Sequence, residues 1–449
     1  MKLRDLSIAA VVLAALLGAL YWSNHHKPGE DAGAKISADT SLKILSLNQA
    51  DIMRLTIRRK DTPQVDLSRS DSGAWQITAP QALAADQESV SSVLSTLSSL
   101  NSDRLLEEKT SDISPYGLAS PGLELDITLK DNQSQKLLIG DQTPAGNSYY
   151  VALAHDPRVF TLAAYNKTSL DKTANDLRDR RLFTADFDKV SQIELVNQKP
   201  DRKQDIIFAR EKDAWQILKP KPYRAETYQV DDLVRTLKEA RFDAPSDADA
   251  TKAATAFKSA SPLVTVKITG ASGTQQVELR NAKDAKDACY AKSSVLSGVY
   301  KVAVTFGTSL DKSLDDFRNK KLFDFAYEEP GKIEIHDGAK AYFLTHSGSD
   351  WWGPDGKKVE EASAEALVGK LRDLTADQFP DSGFASPALE LTVTSKDGKR
   401  VERVSVAKSG DAFIAKRANE PVLYRLSSHD VTDLQKAAAD LKPAPEPKK

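Results

Sequence analysis

Six histidines, at positions 25, 26, 155, 336, 346 and 429, and one cysteine, Cys289, are the side chains of this 449-residue sequence best suited to metal binding or nucleophilic chemistry. A zinc or iron site needs three or four such ligands together, usually with two at short spacing in the chain. Only His25 and His26 are adjacent, and they stand in a polar stretch without further ligands nearby. A cysteine nucleophile needs a positioned histidine. None can be assigned to Cys289, which lies in the run DACYAK and reads as a partly buried strand residue. HExxH, CxxC, Walker A, GxGxxG and GxSxG patterns are absent. The sequence therefore predicts no metal, no cofactor and no enzymatic reaction.

What remains is weaker. There are 64 Asp and Glu against 62 Lys and Arg, and two carboxylates about 5–10 Å apart in one cleft would suit glycoside hydrolysis. Trp75, Trp215 and Trp351 recur at one place, each after a turn. Exposed and in register they would make a ladder of sugar-stacking platforms; the expectation is instead that each anchors its hairpin against the next helix. Trp352, the extra tryptophan in GSDWWGPDG, is expected at the surface. Gly140-Asp141, in LLIGD, is expected in a β-turn and is the one candidate for a ligand contact. Trp352, Gly140 and Asp141 are thus the candidate interaction residues. The bases are dispersed and the formal net charge is −2, so no nucleic-acid partner is predicted. With a single cysteine the domains must stand on their cores, without disulfides.

The elements that would position these residues come as repeats. SLDKTANDLRDRRLF at 169–183 returns as SLDKSLDDFRNKKLF at 309–323, with eight of fifteen positions identical and an offset of 140 residues. Trp75 and Trp215 show the same offset, so the repeating unit is domain-sized. Ser169 and Ser309 read as helix N-caps and Asp171 and Asp311 as first-turn acids. Arg178, Arg180 and Arg181, or Arg318, Lys320 and Lys321, read as last-turn bases. Leu170, Ala174 and Leu177, or Leu310, Leu314 and Phe317, form the apolar stripe. On this reading Asp176 with Arg178, and Asp316 with Arg318, are solvated charges. Leu182-Phe183 and Leu322-Phe323 then plug into the following module, leaving almost no linker and a stiff array.

The expected fold class is α+β: three tandem modules of antiparallel sheet with two helices each, in the order β-β-β-α-β-β-β-β-α, behind an N-terminal transmembrane helix. A Ser-Pro at 120–121, 261–262 and 386–387 opens the second half of each module. The boundaries are 1–24 for a cytoplasmic stub and anchor, 25–44 for a tether, 45–184, 185–324 and 325–442 for the modules, and 443–449 for a frayed tail. Leu6 to Trp22 is seventeen residues without a charge, preceded by Lys2 and Arg4. As a helix it would rise about 26 Å at ~1.5 Å per residue, and Tyr21-Trp22 suit the interfacial belt. The competing reading is a cleaved signal peptide, but the small residues at 32–34 lie too far past the apolar run. An uncleaved inner-membrane anchor, with its N-terminus inside and the bulk of the chain periplasmic or extracytoplasmic, is expected.

The series Trp-x-Ile-x-x-Pro, helix, Tyr116-Gly117-Leu118-Ala119-Ser120-Pro121, Leu137 to Asp141, Tyr149-Tyr150-Val151, Val159-Phe160 and the closing LDK…DLRD resembles a bacterial domain-of-unknown-function family. Its members are similar to membrane-anchored extracytoplasmic proteins, often encoded beside ABC-transporter components of the gliding-motility type. The resemblance is strongest over 45–185. In the second module Phe257-Lys258-Ser259 replaces the Tyr-Gly-Leu and Leu279-Arg280-Asn281 the Ile-Gly-Asp; in the third, Val406-Ala407-Lys408 stands there. The family brings no catalytic residues. It implies an auxiliary subunit of an ABC-type transport or cell-envelope system, with a membrane or envelope protein as partner. The alternative is an envelope glycan-binding protein or hydrolase using carboxylates and the repeated Trp.

Overall fold

The computed structural model describes residues 42–445, apart from 213, 244–246, 282–287, 326–327 and 419. The apolar run at 6–22 lies outside the described residues. Within them, no helix is long and apolar enough to cross a membrane. The chain divides into two compact units, Met1–Asp179 and Arg180–Lys449.

The first unit is built from β1 (Ile52–Arg59), β2 (Val65–Arg69), β3 (Trp75–Ala79), β4 (Leu83–Ala84), helix α1 (Gln87–Ser98), β5 (Arg104–Glu107), β6 (Leu123–Leu129), β7 (Ser134–Gln142), β8 (Ser148–Leu153), β9 (Val159–Ala163) and helices α2 (Ala164–Leu170) and α3 (Ala174–Leu177). Its sheet runs β4-β3-β2-β1-β6-β7-β8-β9-β5. Period-two alternation turns Leu55 and Ile57 of β1, Leu125 and Ile127 of β6 and Leu137 and Ile139 of β7 to one face. Helix α1 covers that face with Val90, Val93, Leu94 and Leu97, spaced for one stripe, each contributing about 1.5–3 kcal/mol by burial. It starts where it does because the Asp86 carboxylate accepts from the amides of Glu88 and Ser89. The helix also carries the chain across the first hairpins, so β6 pairs with β1 rather than with β5.

The second unit repeats this plan twice. Its first module contains β10 (Val190–Asn197), β11 (Gln204–Glu211), β12 (Ala214–Lys219), β13 (Tyr223–Arg224), α4 (Thr227–Glu239), α5 (Asp247–Ser259), β14 (Ser261–Gly270), β15 (Gly273–Asn281), β16 (Ala288–Ser293), β17 (Tyr300–Ala303), α6 (Val304–Leu310) and α7 (Leu314–Phe317). Its second contains β18 (Pro330–Asp337), β19 (Lys340–Ser347), β20 (Asp350–Trp352), α8 (Glu361–Arg372), β21 (Leu389–Ser395), β22 (Val401–Ser409), β23 (Ala412–Arg417), β24 (Leu423–Leu426) and α9 (Ser428–Ala439). The sheets run β13-β12-β11-β10-β14-β15-β16-β17 and β20-β19-β18-β21-β22-β23-β24. Three antiparallel sheets that share one core order, each with a helix-covered face, make the α+β architecture expected of the repeats. The opposite face of each sheet is where they diverge. In the first module a 3-10 turn at Ser114–Tyr116 brings Leu118 onto Ala152 and Val159; in the second, α5 lays Ala253 and Phe257 on Tyr290 and Val299.

The recurrent 169–183 stretch is not one helix. Ser169 stands in the last turn of α2, its hydroxyl donating to the Tyr165 carbonyl, and Asp171 is the C-cap. The next short helix is capped by Thr173, whose hydroxyl accepts from the Asp176 amide while the Asp176 carboxylate accepts from the Thr173 amide; Ser313 and Asp316 do the same. The serines satisfied a capping pattern, but the threonine and the second serine, each three residues before an acid, satisfy a stronger one. Nor are the arginines solvated: Arg178 is 7% and Arg318 9% exposed. Leu182 and Phe183 enter the β10–β17 core, and Leu322 and Phe323 the β18–β24 core. The tail is not frayed at its start, since the Ala444 amide donates to the Lys358 carbonyl at 2.8 Å and Pro443 bridges Val359.

Candidate functional site

The candidate residues of the sequence do not converge. Gly140 and Asp141 lie inside β7, at a register shift between Ile139 and Gln142, not in a turn; the turn comes later, where the Gly146 amide meets the Thr143 carbonyl. A Cβ on Gly140 would stand 2.2 Å from the Tyr116 carbonyl oxygen, and one on Gly117, at φ +71°, 2.5 Å from the Asp141 carboxyl carbon. The two glycines exist so that the Tyr116–Leu118 loop can close on the strand. The space for a ligand is filled by the chain itself. Tyr116 completes this closure, edge-on to Tyr150 at 5.1 Å.

The repeated tryptophans are core anchors: Trp75, Trp215 and Trp351 are 7%, 5% and 4% exposed. No sugar can stack on them. Trp352 is 36% exposed, as expected. Cys289 is fully buried in β16, and burial pushes its thiol up, away from the reactive thiolate. Two carboxylates, Glu329 and Glu365, line a cavity of about 360 Å³ together with Trp351, Val368 and Arg372. A general acid there would need a raised pKa. The Glu329 carboxyl is instead held below its usual range, first by the hydrogen bond from Lys396 and then by the charges of His346, Lys396 and Arg372. Among the described residues no group of three His, Cys, Asp or Glu is placed to hold a metal ion.

A dense set of interacting charges sits where the two modules of the second unit meet. Backbone pairing fixes the segment that enters the junction: within the first of these modules the Glu226 amide donates to the Phe317 carbonyl at 2.7 Å and the Asn319 amide to the Arg224 carbonyl at 2.9 Å, and across to the next the Ala376 amide donates to the Lys320 carbonyl at 2.8 Å. The Arg318 guanidinium lies over the rings of Tyr223 at 4.3 Å and Phe379 at 3.6 Å, and Tyr223 packs against both cores. Beside it, Arg224 donates to both oxygens of Asp324 at 2.8 Å and to the Tyr424 hydroxyl at 3.1 Å, with its Nε 3.0 Å from Glu420. Tyr424 donates in turn to Glu420 at 2.7 Å. Arg417 meets Asp324 at 3.3 Å, Glu402 at 3.1 Å and Glu420 at 2.9 Å, and donates to the Leu322 carbonyl at 2.8 Å. Glu402 accepts from the Asp324 amide at 3.0 Å.

Two arginines therefore hold three carboxylates, one of them, Glu402, with its side chain only 7% exposed. Burial alone would push the Arg224 guanidinium down; Tyr424, Asp324 and Glu420 outweigh it and hold it above its ordinary value. Burial raises the Tyr424 hydroxyl as well. The arrangement ties the two modules together through side chains of both.

One repeat earlier, uncharged side chains stand at the positions of Asp324, Glu402 and Arg417, while Arg178 and Asp179 are buried nearby. Gln275 accepts from the Thr184 amide at 2.9 Å and donates to its hydroxyl at 3.1 Å, and the Ser293 hydroxyl donates to the Leu182 carbonyl at 2.6 Å. Thr184 and Asp324 are 140 apart, as are Ala84 and Arg224. Sequence reasoning missed this cluster; the signal that could have found it was divergence between copies at matched positions.

One protein-family model, described as Domain of unknown function (DUF4340), matches residues 75–244 and again 215–389. Both matches begin at the register tryptophan of a β3-type strand. Each ends beyond the next junction, so the matched unit runs from mid-module to mid-module. No curated protein and no solved structure matches the chain.

Proposed function

We infer that this chain, which belongs to the family Domain of unknown function (DUF4340), is a non-enzymatic scaffold that presents rigid modules to a membrane or envelope partner. The observation that carries this reading is the Arg224–Asp324–Arg417–Glu402–Glu420 cluster, which spends its charge on joining two modules. A catalytic carboxyl would be pushed up; among the described residues, carboxyls that move, such as Asp311, Asp316 and Glu329, move down. The run at 6–22 supplies the tether to the inner membrane, with the modules on the extracytoplasmic side. The role that suits this build is an auxiliary subunit of an ABC-type transport or cell-envelope system, as the gliding-motility resemblance implies.

Mild crosslinking of the full-length chain in its membranes, followed by identification of what co-purifies, tests the reading. Recovery of a permease or ATPase is expected. Recovery of envelope glycan alone would overturn it in favour of the glycan-binding alternative, for which the exposed Trp352 would be the first residue to replace.

A further inference from the structure

In two of the three modules the hairpin beside the central strands is completed by a strand that carries an inward isoleucine. β3 covers β2 from Arg69↔Trp75 to Asp66↔Ala79, and β12 covers β11 from Glu211↔Ala214 to Ile207↔Lys219. Ile77 and Ile217 on these strands are 1% and 0% exposed. In the third module Gly353-Pro354 follows Trp352, and the strand stops. β20 pairs with β19 only through Ser347, His346 and Thr345. Glycine has no side chain for the core, and proline cannot donate to a ladder. The Gly353 amide turns away to the Lys357 carbonyl at 2.9 Å.

The result, among the described residues, is an open edge along Lys340–Leu344, bonded to β18 on one side only. Residues in step with Thr345, namely Phe343 and Ala341, direct their N–H and C=O outward. Below this edge, where the isoleucine would be, is a cavity of about 350 Å³ lined by Tyr342, Leu344, Val359 and Leu441 on its apolar side. Its rim holds Lys357, Lys358 and Lys442 against Asp355. Lys357 stands 3.8 Å from Asp355 and Lys358 is paired with Asp350 at 2.7 Å, while Lys442 has no carboxylate partner among the described residues and gives the rim its excess positive charge.

We propose that this edge and cavity are the docking site for an extended acidic–apolar peptide of a partner protein, which adds a strand to β19 and places one β-branched side chain where Ile77 and Ile217 sit in the other modules. The backbone supplies the affinity, the cavity selects the side chain, and the lysine rim selects a negatively charged segment over a basic one. The inference deepens the scaffold reading and rests on it for its purpose; the test below uses a peptide and no membrane partner, so it can fail while crosslinking still succeeds.

The probe is a fluorescein-labelled, amidated six-residue peptide alternating Glu with Ile, titrated into the full-length chain in detergent. Saturable binding is expected, with slowed amide exchange at 341–344. Binding should weaken at least tenfold when the peptide is N-methylated on its pairing edge, and about tenfold when Lys replaces Glu or in a Lys357→Glu/Lys442→Glu variant. Phe343→Pro, which removes an outward N–H, should abolish binding; the charge variant keeps the test valid if the proline disturbs folding. Equal binding of the methylated peptide, or none at millimolar concentration, overturns the proposal. So does a Phe343-dependent dimer in scattering, which would make the occupant a second copy.

Discussion

Replacing Arg224 with alanine should loosen the third module. Its side chain is 17% exposed and faces Asp324 and Glu420, 35% and 21% exposed. Stripping one partner from a fully buried pair costs about 3–5 kcal/mol, and from an exposed pair about 0–1. The junction is intermediate, and Arg417 remains to hold part of the acidic charge, so about 2–3 kcal/mol is expected. Hydrogen exchange read segment by segment is the assay. Amides of β21–β24 that open with this unit should exchange roughly 30- to 160-fold faster, at 1.36 kcal/mol per tenfold, with β6–β9 of the first unit unchanged. Adding Glu420→Gln should recover part of the loss, because it neutralises a carboxylate left without its guanidinium. Gln275→Ala, at the uncharged counterpart of Glu402, removes the acceptor of one exposed amide hydrogen bond and should cost about 0.5–1.5 kcal/mol. Unchanged exchange over 389–426 in Arg224→Ala, or the same loss from Gln275→Ala, would refute the claim that charge at this junction is what couples the modules.

Three further outcomes follow from named contacts. Gly140→Ala drives a methyl into the Tyr116 carbonyl and should cost about 2–4 kcal/mol in urea unfolding, whereas Gly146→Ala, with open space but φ +80°, should cost about 1–2. Trp351→Ala should cost about 3–5 kcal/mol and Trp352→Ala below about 1, again by urea midpoint. Burial would raise the Asp311 carboxyl, but hydrogen bonds from Lys199 and Asn197 win and hold it low, so its contribution is present above the ordinary aspartate value of about 3.9 and lost as pH falls through and below it. Asp311→Asn should therefore flatten the fall in stability between about pH 5 and pH 2.

Much of the architecture was legible because it repeats. The 140-residue offset of Trp75 and Trp215, the apolar stripe of Val90, Val93, Leu94 and Leu97, and the Ser-Pro strand openings each answer to a local period or turn residue. The site was not legible. Gly140-Asp141 has the composition of a turn, yet a bulge in β7 set by its pairing with β8 and the closing Tyr116–Leu118 loop, more than twenty positions away, claim it. Ser169 and Ser309 carry the right hydroxyl for a cap, but helices α2 and α6, begun upstream, run through them.

By itself the sequence determined what each stretch is, since strand alternation, helix stripes and capping boxes are decided within a few residues by backbone geometry and hydrogen bonding. It determined the recurrence of the module and the burial of the register tryptophans on their hairpins. Tertiary structure alone decided which charges meet. Arg224, Asp324, Glu402 and Glu420 span nearly two hundred positions and become neighbours only when the 317–319 segment pairs with β13 and Lys321 with Thr375 of the next module. It also decided that losing one isoleucine at Gly353 opens an edge, because a missing strand shows only against the strands that remain.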